Sequence, residues 1–162
     1  MGRKIRRVPA DWQHPRDERT GHYKPLYDHD YESAARGWIA DLFAWENGAD
    51  VLPSGHNIAS ARKFFRYYWE YAGPPPDEEY CRPAWTPEQA THYQVYENVS
   101  EGTPVSPVFA TLDALVEWLV SEGYSRTAAE NFAKTGWAMS AKFIIRPDGS
   151  GIYAPDIESL SL

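Results

Sequence analysis

Histidine and acidic side chains are concentrated near the N-terminus, where their types could form a metal site. Within seventeen residues the sequence contains His14, Asp17, His22, His29 and Asp30. Metal ligands on one helix follow a fixed spacing such as H-E-x-x-H, and these five residues do not. Proline also interrupts the segment, at Pro15 and Pro25. We therefore interpret these side chains as solvated, and we predict no metal site and no cofactor.

A thiol and an imidazole could provide nucleophilic chemistry. Cys81 is the single cysteine, and His92 follows it by eleven residues. A cysteine nucleophile needs a base within hydrogen-bond reach, which a spacing in sequence does not establish, so we interpret Cys81 as an inert thiol. The sequence contains neither a Gly-rich phosphate loop nor a G-x-S-x-G elbow. We predict a protein that is not an enzyme; a small hydrolase or transferase built on Cys81 and His92 is an alternative.

Length and hydropathy restrict the class of protein. A chain of 162 residues fits a single domain with one core. One cysteine allows no internal disulfide, which suits a reducing compartment. The sequence has no apolar run long enough to span a membrane, and no apolar segment follows the basic N-terminus. We expect a cytosolic protein that has no membrane partner.

Charge is distributed unevenly along the chain, whose net charge is −7. Residues 1–24 contain seven Lys or Arg and three acidic side chains, whereas the rest contains nine basic and twenty acidic ones. Such a basic arm either folds back onto the acidic body or contacts a phosphate backbone. The apolar residues Ile5, Val8 and Trp12 favour folding back. In the alternative, the arm binds nucleic acid through Arg3, Lys4, Arg6 and Arg7.

Helix signals and strand signals occur in separate runs. Four segments have apolar residues at helical spacing, and three of them follow a capping residue: 31–46 after Asp30 or Asp28, 58–73 after Asn57, 112–123 after Thr111, and "SRTAAENFAKTGW". A fifth, short helix is predicted after Thr86. The segment "HYQVYENVS" alternates like a strand, and Gly102 allows a reversal. The stretch "PVSPVFAT" returns as a strand that, because of its prolines, either lies at an edge or starts late, near Val108. A second hairpin is predicted in "AMSAKFIIRPDGSGIYAP".

These signals predict the α+β class, with antiparallel hairpins packed against about four helices. We expect an extended basic N-terminal arm over residues 1–30 and a single compact domain over residues 31–162. The predicted helix 58–73 is unusual because aromatic rings occupy more than one of its sides, with basic side chains between them. We interpret it as a central helix with both faces packed. A protein interface and a stacking surface for single-stranded nucleic acid are the alternatives.

Two stretches of the chain resemble a group of small proteins encoded by bacteriophages and prophages. They are "GRKIRRVPADWQHP" at the N-terminus and "THYQVYENVSEGTPVSPVFATLDALVEWL", which includes the segment "SEGTPVSPVFAT". The resemblance implies a phage setting, and it assigns no catalytic residue. Residues 31–80 lie outside it.

A phage setting favours a protein that acts by stoichiometric binding. Acidic surfaces can imitate nucleic acid toward a basic groove, and tyrosine is enriched at interface hot spots. We therefore predict an inhibitor, of the anti-CRISPR type, that covers a nucleic-acid-handling host or defence complex in the host cytosol. The predicted contact surface is acidic and rich in tyrosine, and it consists of Asp77, Glu78, Glu79, Tyr80, Tyr93, Tyr96, Glu97 and Glu101. One alternative is a nucleic-acid-binding accessory protein that uses the basic arm, and another is a virion or assembly component, which the sequence does not distinguish from an inhibitor. The sequence leaves the oligomeric state open.

Overall fold

The computed structural model describes residues 2–98, 102–139, 141–145 and 151–155. The chain divides into two compact units, one of Met1–Pro25 with Trp85–Leu162 and the other of Leu26–Ala84. Within the described residues, four α-helices and antiparallel strands occur in separate runs, so the predicted α+β class is confirmed. The boundary predicted between residues 30 and 31 stays a prediction.

A four-stranded antiparallel sheet organises the first unit, with the strand order β3-β2-β1-β4. Strand β1 (Gly2–Val8) pairs along its length with β2 (His92–Glu97), from Arg3 opposite Glu97 to Val8 opposite His92. The outer strands are β3 (Thr103–Pro104) and β4 (Trp137–Met139). The expectation that the basic arm folds back is confirmed for residues 2–8, because they form an inner strand.

Two helices pack against this sheet and close the core of the first unit. They are α3 (Leu112–Ser121) and α4 (Arg126–Thr135). The core contains Val95, Leu115, Leu119, Ala129 and Phe132. Full burial of each large apolar side chain contributes about 1.5–3 kcal/mol of favourable free energy.

Local signals set the ends of these helices. The hydroxyl of Thr111 accepts a hydrogen bond from the Ala114 amide at 3.1 Å, and Ser125 caps α4 in the same way through Ala128. Gly136 ends α4 in the left-handed conformation, with φ of 73°, which suits glycine because it lacks a Cβ. The predicted start of α3 is confirmed.

The second unit is built on α1 (Tyr31–Glu46), whose cap is Asp30, one of the two predicted residues. Asp30 accepts a hydrogen bond from the Ser33 amide at 2.9 Å. One face of the helix packs in a small core that contains Trp45, Leu52, Ile58 and Tyr68.

The continuous helix predicted over residues 58–73 is wrong. The segment forms a 3-10 turn at Ala61–Lys63 and then a separate short helix, α2 (Tyr68–Ala72), after an extended Tyr67. The Glu70 carboxylate accepts the amides of Arg66 and Tyr67 at 2.9 Å each, so a new helix starts where the prediction continued the old one.

The short helix predicted after Thr86 is also wrong, since the residues form an isolated turn. The Gln89 side chain accepts the Thr86 amide at 2.9 Å, and the Ala90 amide donates to the Thr86 carbonyl. Strand β2 begins at His92, which leaves no room for a further turn.

The predicted hairpins are present, with one interruption. After β3 the Val105 amide still donates to the Val95 carbonyl, at 2.9 Å, and the returning chain then leaves the ladder until Phe109 faces Tyr93. The two prolines of this stretch explain the gap, because proline has no amide hydrogen for the ladder. Strands β5 (Ala141–Ile145) and β6 (Gly151–Pro155) pair antiparallel as predicted. The predicted reversal near Ser100 and the turn at residues 146–150 lie outside the described residues.

Within the described residues, no helix has both the length and the apolar character that crossing a membrane requires.

Candidate functional site

The predicted contact surface falls into two groups. Residues 77–80 belong to the unit of Leu26–Ala84, whereas Tyr93, Tyr96 and Glu97 lie on β2 of the other unit. Glu101 lies outside the described residues. Each group is therefore considered by itself.

Residues 77–80 form an exposed acidic turn. The 3-10 turn Glu78–Tyr80 is capped by Asp77, whose carboxylate accepts the Glu79 amide at 3.0 Å. All four side chains are exposed, as the sequence predicted.

A neighbouring segment adds a second tyrosine that sequence reasoning missed. The Tyr27 amide donates to the Tyr80 carbonyl at 2.8 Å, and Tyr27 forms a parallel bridge with Cys81. The Tyr27 ring is exposed and stacks on His29 with a ring separation of 5.3 Å. We call Tyr27, Asp77, Glu78, Glu79 and Tyr80 the acidic tyrosine face.

The Cys81 thiol lies next to the acidic tyrosine face. Cys81 is buried and lies 3.4 Å from the Asp77 carbonyl. Its pKa is raised, first by burial and then by the charges of Asp30, Asp77 and Glu78. A thiol held in its protonated form is a poor nucleophile, which agrees with the interpretation of Cys81 as inert.

Tyr96 corrects the predicted contact surface, because its ring is buried. It is 2% exposed, and the Arg6 guanidinium lies 4.2 Å from the ring centroid. The hydroxyl accepts from Trp12 Nε1 at 2.9 Å and donates to Gln94 Oε1 at 3.1 Å. The alternating pattern of a strand does not show whether one or both of its faces are covered. No signal in the sequence therefore identified Tyr96 as buried.

The other β2 residues of the prediction interact with the basic arm. Glu97 is half-buried and pairs with Nε of Arg3 at 3.3 Å. Tyr93 is half-buried, and the Arg7 guanidinium lies 5.6 Å from its ring centroid. This part of the predicted surface is therefore already engaged within its own unit.

The four cations assigned to nucleic-acid binding are placed differently from one another. Arg3 also donates to the Tyr124 hydroxyl at 2.7 Å, and Arg6 is buried. Lys4 is half-buried, whereas Arg7 is exposed. Because β1 is an inner strand, most of these cationic side chains are at least partly buried within their own unit.

A cleft of about 850 Å³ lies in the first unit, between the arm and the chain that follows β3. Residues 12–16 and Tyr23 line one side, and Gln94 with residues 104–108 lines the other. His14 belongs to the first side and is 8% exposed, so its interpretation as a solvated side chain is wrong. Burial lowers the pKa of His14 despite its hydrogen bond to the Lys24 carbonyl, and the charges of Arg6 and Arg16 lower it further.

The polar groups of this cleft are largely engaged in the wall itself. Gln94 Nε2 donates to the Ser106 carbonyl at 2.9 Å, and the Ser106 hydroxyl accepts the Val95 amide at 2.8 Å. His14 Nε2 lies 2.6 Å from the Lys24 carbonyl. Trp12 and His14 both contact the Tyr96 hydroxyl, and they therefore anchor the arm to β2.

In the part of the chain that the structure describes, no three His, Cys, Asp or Glu side chains are grouped so that they could hold a metal ion.

In comparisons with known proteins, the chain matches no family model, no curated protein and no solved structure.

Proposed function

We propose that this protein is a non-enzymatic, phage-encoded interaction protein that inhibits a nucleic-acid-handling host or defence complex by stoichiometric binding. The acidic tyrosine face would contact a basic surface of that complex in the host cytosol. One observation carries the proposal: two exposed tyrosines and three exposed carboxylates lie together on two hydrogen-bonded segments.

Charge and ring chemistry explain how such a face would bind. Carboxylates attract a basic groove that normally receives phosphates, and this attraction raises the association rate. Tyr27 and Tyr80 supply flat rings with a polar end, which is the chemistry typical of interface hot spots. The net charge of −7 has the same sign as the face and adds to the steering.

The face is ordered before it meets a partner. The Asp77 cap fixes the turn, and the bond from the Tyr27 amide to the Tyr80 carbonyl joins the two segments. A surface that is already ordered loses less conformational entropy on binding. Tight stoichiometric binding benefits from this order.

The alternative, an accessory protein that grips nucleic acid with its basic arm, receives less support from the geometry. Arg3 and Arg6 contact Glu97 and Tyr96 within their own unit, and only Arg7 of the four cations is exposed. If Arg7 contacts a phosphate, Arg7→Gln would remove that contact. The slope of log binding constant against log salt concentration would then become shallower by less than about one.

The test compares two variants that remove the same amount of charge. One carries Asp77→Asn, Glu78→Gln and Glu79→Gln, and the other carries Glu88→Gln, Glu122→Gln and Glu130→Gln on exposed positions of the other unit. Proteins retained from a host lysate by the wild-type chain are identified, and their association rates are measured with each variant.

We expect the first variant to slow association at least tenfold, in the manner of electrostatic steering, and the second to change it by less than about threefold. Equal retention by the wild-type chain and the first variant would exclude the acidic tyrosine face as the contact. Equal losses by both variants would show that only the total charge matters, which also contradicts the proposal.

A further inference from the structure

The break in the predicted helix 58–73 exposes a row of rings and cations. Phe64 is 82% exposed and Trp69 is 55% exposed, and Tyr67 is exposed between them in sequence. Lys63 and Arg66 are exposed on the same segment. We call Lys63, Phe64, Arg66, Tyr67 and Trp69 the basic aromatic ridge.

The rings of the ridge are arranged for stacking. Tyr67 and Trp69 are parallel, with ring centroids 5.7 Å apart and an interplanar angle of 8°. The Arg66 guanidinium lies 5.2 Å from the Tyr67 ring centroid, a cation–π contact. A guanidinium, a phenol and an indole are thus associated at the protein surface, and the indole remains more than half exposed.

The core of the unit does not need these rings. From the same segment, Tyr68 packs in the core with Trp45, and its pKa is raised to about 12, first by burial and then by the charge of Asp41. The ridge residues point away from that core, as their exposure shows. Several large rings exposed together in a short segment mark a binding surface more often than isolated ones do.

We propose that the basic aromatic ridge binds single-stranded nucleic acid. Unpaired bases would stack on Trp69 and Phe64, and the phosphates beside them would meet Lys63 and Arg66. Proteins that bind single strands combine these two features, ring faces for the bases and cations for the backbone. This inference goes beyond the proposed function, since it concerns different residues and a different class of partner.

Charge complementarity selects this occupant over a second protein. The charged side chains of the ridge are both cationic, and the nearby Glu70 carboxylate is held by the amides of Arg66 and Tyr67. Arg62 adds a third cation, which is directed inward to the carbonyls of Ala49 and Trp45. Duplex nucleic acid fits less well, because its bases are already stacked on one another.

Two phosphate contacts predict a shallow salt dependence. For a single strand, the logarithm of the binding constant falls with the logarithm of the salt concentration by about 0.7 per phosphate contact, so the slope should be about −1.4. Basic-arm binding through Arg7, the one exposed side chain among the four arm cations, would give a slope of about −0.7 by the same rule. The slope therefore distinguishes the ridge from the arm.

The experiment measures the fluorescence anisotropy of a labelled dT20 strand and of a labelled 20-base-pair duplex with the full chain, between 25 and 200 mM salt. Variants Phe64→Ala and Trp69→Ala remove ring faces, and the pair Lys63→Gln with Arg66→Gln removes charge. Phe43→Ala is the matched control, because Phe43 is an exposed ring on α1 of the same unit. Circular dichroism confirms that each variant is folded.

We expect dT20 to bind more tightly than the duplex, and each ring variant to weaken dT20 binding roughly tenfold, as loss of one stacked base predicts. The charge variant should bring the salt slope close to zero, and Phe43→Ala should change the affinity by less than about twofold. No binding of dT20 at 25 mM salt, or affinities unchanged in the ring variants, would overturn the proposal. Loss of a lysate protein in the ring variants without dT20 binding would identify the ridge as a protein interface and would overturn it as well.

The result is independent of the acidic tyrosine face. The variant with Asp77→Asn, Glu78→Gln and Glu79→Gln leaves the ridge intact and should retain dT20 binding. Failure of one proposal therefore leaves the other standing.

Discussion

The Tyr96 hydroxyl lies 3.1 Å from Nδ1 of His14, in a buried network that joins the arm to β2. His14 Nε2 faces the Lys24 carbonyl, which only accepts hydrogen bonds, so this nitrogen carries a hydrogen. In neutral His14 the other nitrogen is then an acceptor. Gln94 Oε1 is a second acceptor, because Nε2 of that side chain donates to Ser106. The Tyr96 hydroxyl has one hydrogen, and two acceptors, His14 Nδ1 and Gln94 Oε1, lie within hydrogen-bond distance of it.

The first prediction concerns the hydroxyl at the centre of this network. Tyr96→Phe should lower the free energy of unfolding by about 1–3 kcal/mol, because Trp12 Nε1 loses its acceptor and one of the two facing acceptors, His14 Nδ1 or Gln94 Oε1, loses its donor. Urea denaturation measures the change. Tyr31→Phe is the control at an exposed ring, and it should change the free energy of unfolding by less than about 0.5 kcal/mol. Equal stability of Tyr96→Phe and wild type would show that the network contributes nothing.

The second prediction is a pH dependence that originates at His14. Because the pKa of His14 is lowered in the folded state, the unfolded chain binds more protons when the pH falls below about 6.5. Stability is therefore fully present above that pH, and it decreases as the pH falls from about 6.5 through the lowered pKa, by no more than about 1.4 kcal/mol per pH unit.

His14→Gln removes this titration and keeps a polar side chain. The difference in unfolding free energy between wild type and His14→Gln, measured by urea denaturation between pH 5 and 8, should shift against the wild type as the pH falls. A constant difference over this range would contradict the lowered pKa.

Elements with purely local determinants were predictable from the sequence. Helix α3 starts at its predicted cap, Thr111, and α1 starts at Asp30, one of its two predicted caps, because the cap contact is made to an amide three residues away. Local signals did not predict the helix start near Glu70, whose carboxylate accepts the amides of Arg66 and Tyr67. The spacing of apolar residues in this segment is the same as in one continuous helix, so the break was not visible in the pattern.

Burial on β2 depends on contacts far away in sequence, and pattern alone could not supply it. Val95 is buried on one face of β2, and Tyr96 on the opposite face is covered by Arg6 and Trp12, more than eighty positions earlier. The exposure of residues 77–80 was predictable because consecutive acids cannot be buried together without partners. The contribution of Tyr27 required the tertiary bridge to Cys81.

The third prediction tests the core between the sheet and its helices. Leu119 is fully buried on α3, so Leu119→Ala should lower the free energy of unfolding by about 2–5 kcal/mol through lost burial and the cavity that remains. Leu112→Ala makes the same chemical change at a half-buried position of the same helix, and it should destabilise less. Thermal and urea denaturation measure both variants, and the reverse order would place the core elsewhere.

The fourth prediction concerns the reactivity of the Cys81 thiol. Burial is the larger cause of its raised pKa, and the charges of Asp30, Asp77 and Glu78 contribute less. Alkylation by iodoacetamide at pH 8, followed by mass spectrometry, should be at least about tenfold slower in the native protein than in urea, because the thiolate is the reactive form. Asp77→Asn with Glu78→Gln should accelerate the native reaction by no more than about threefold, since burial persists. An acceleration to the unfolded rate would instead show that the charges of the acidic tyrosine face, and not burial, hold the thiol in its protonated form.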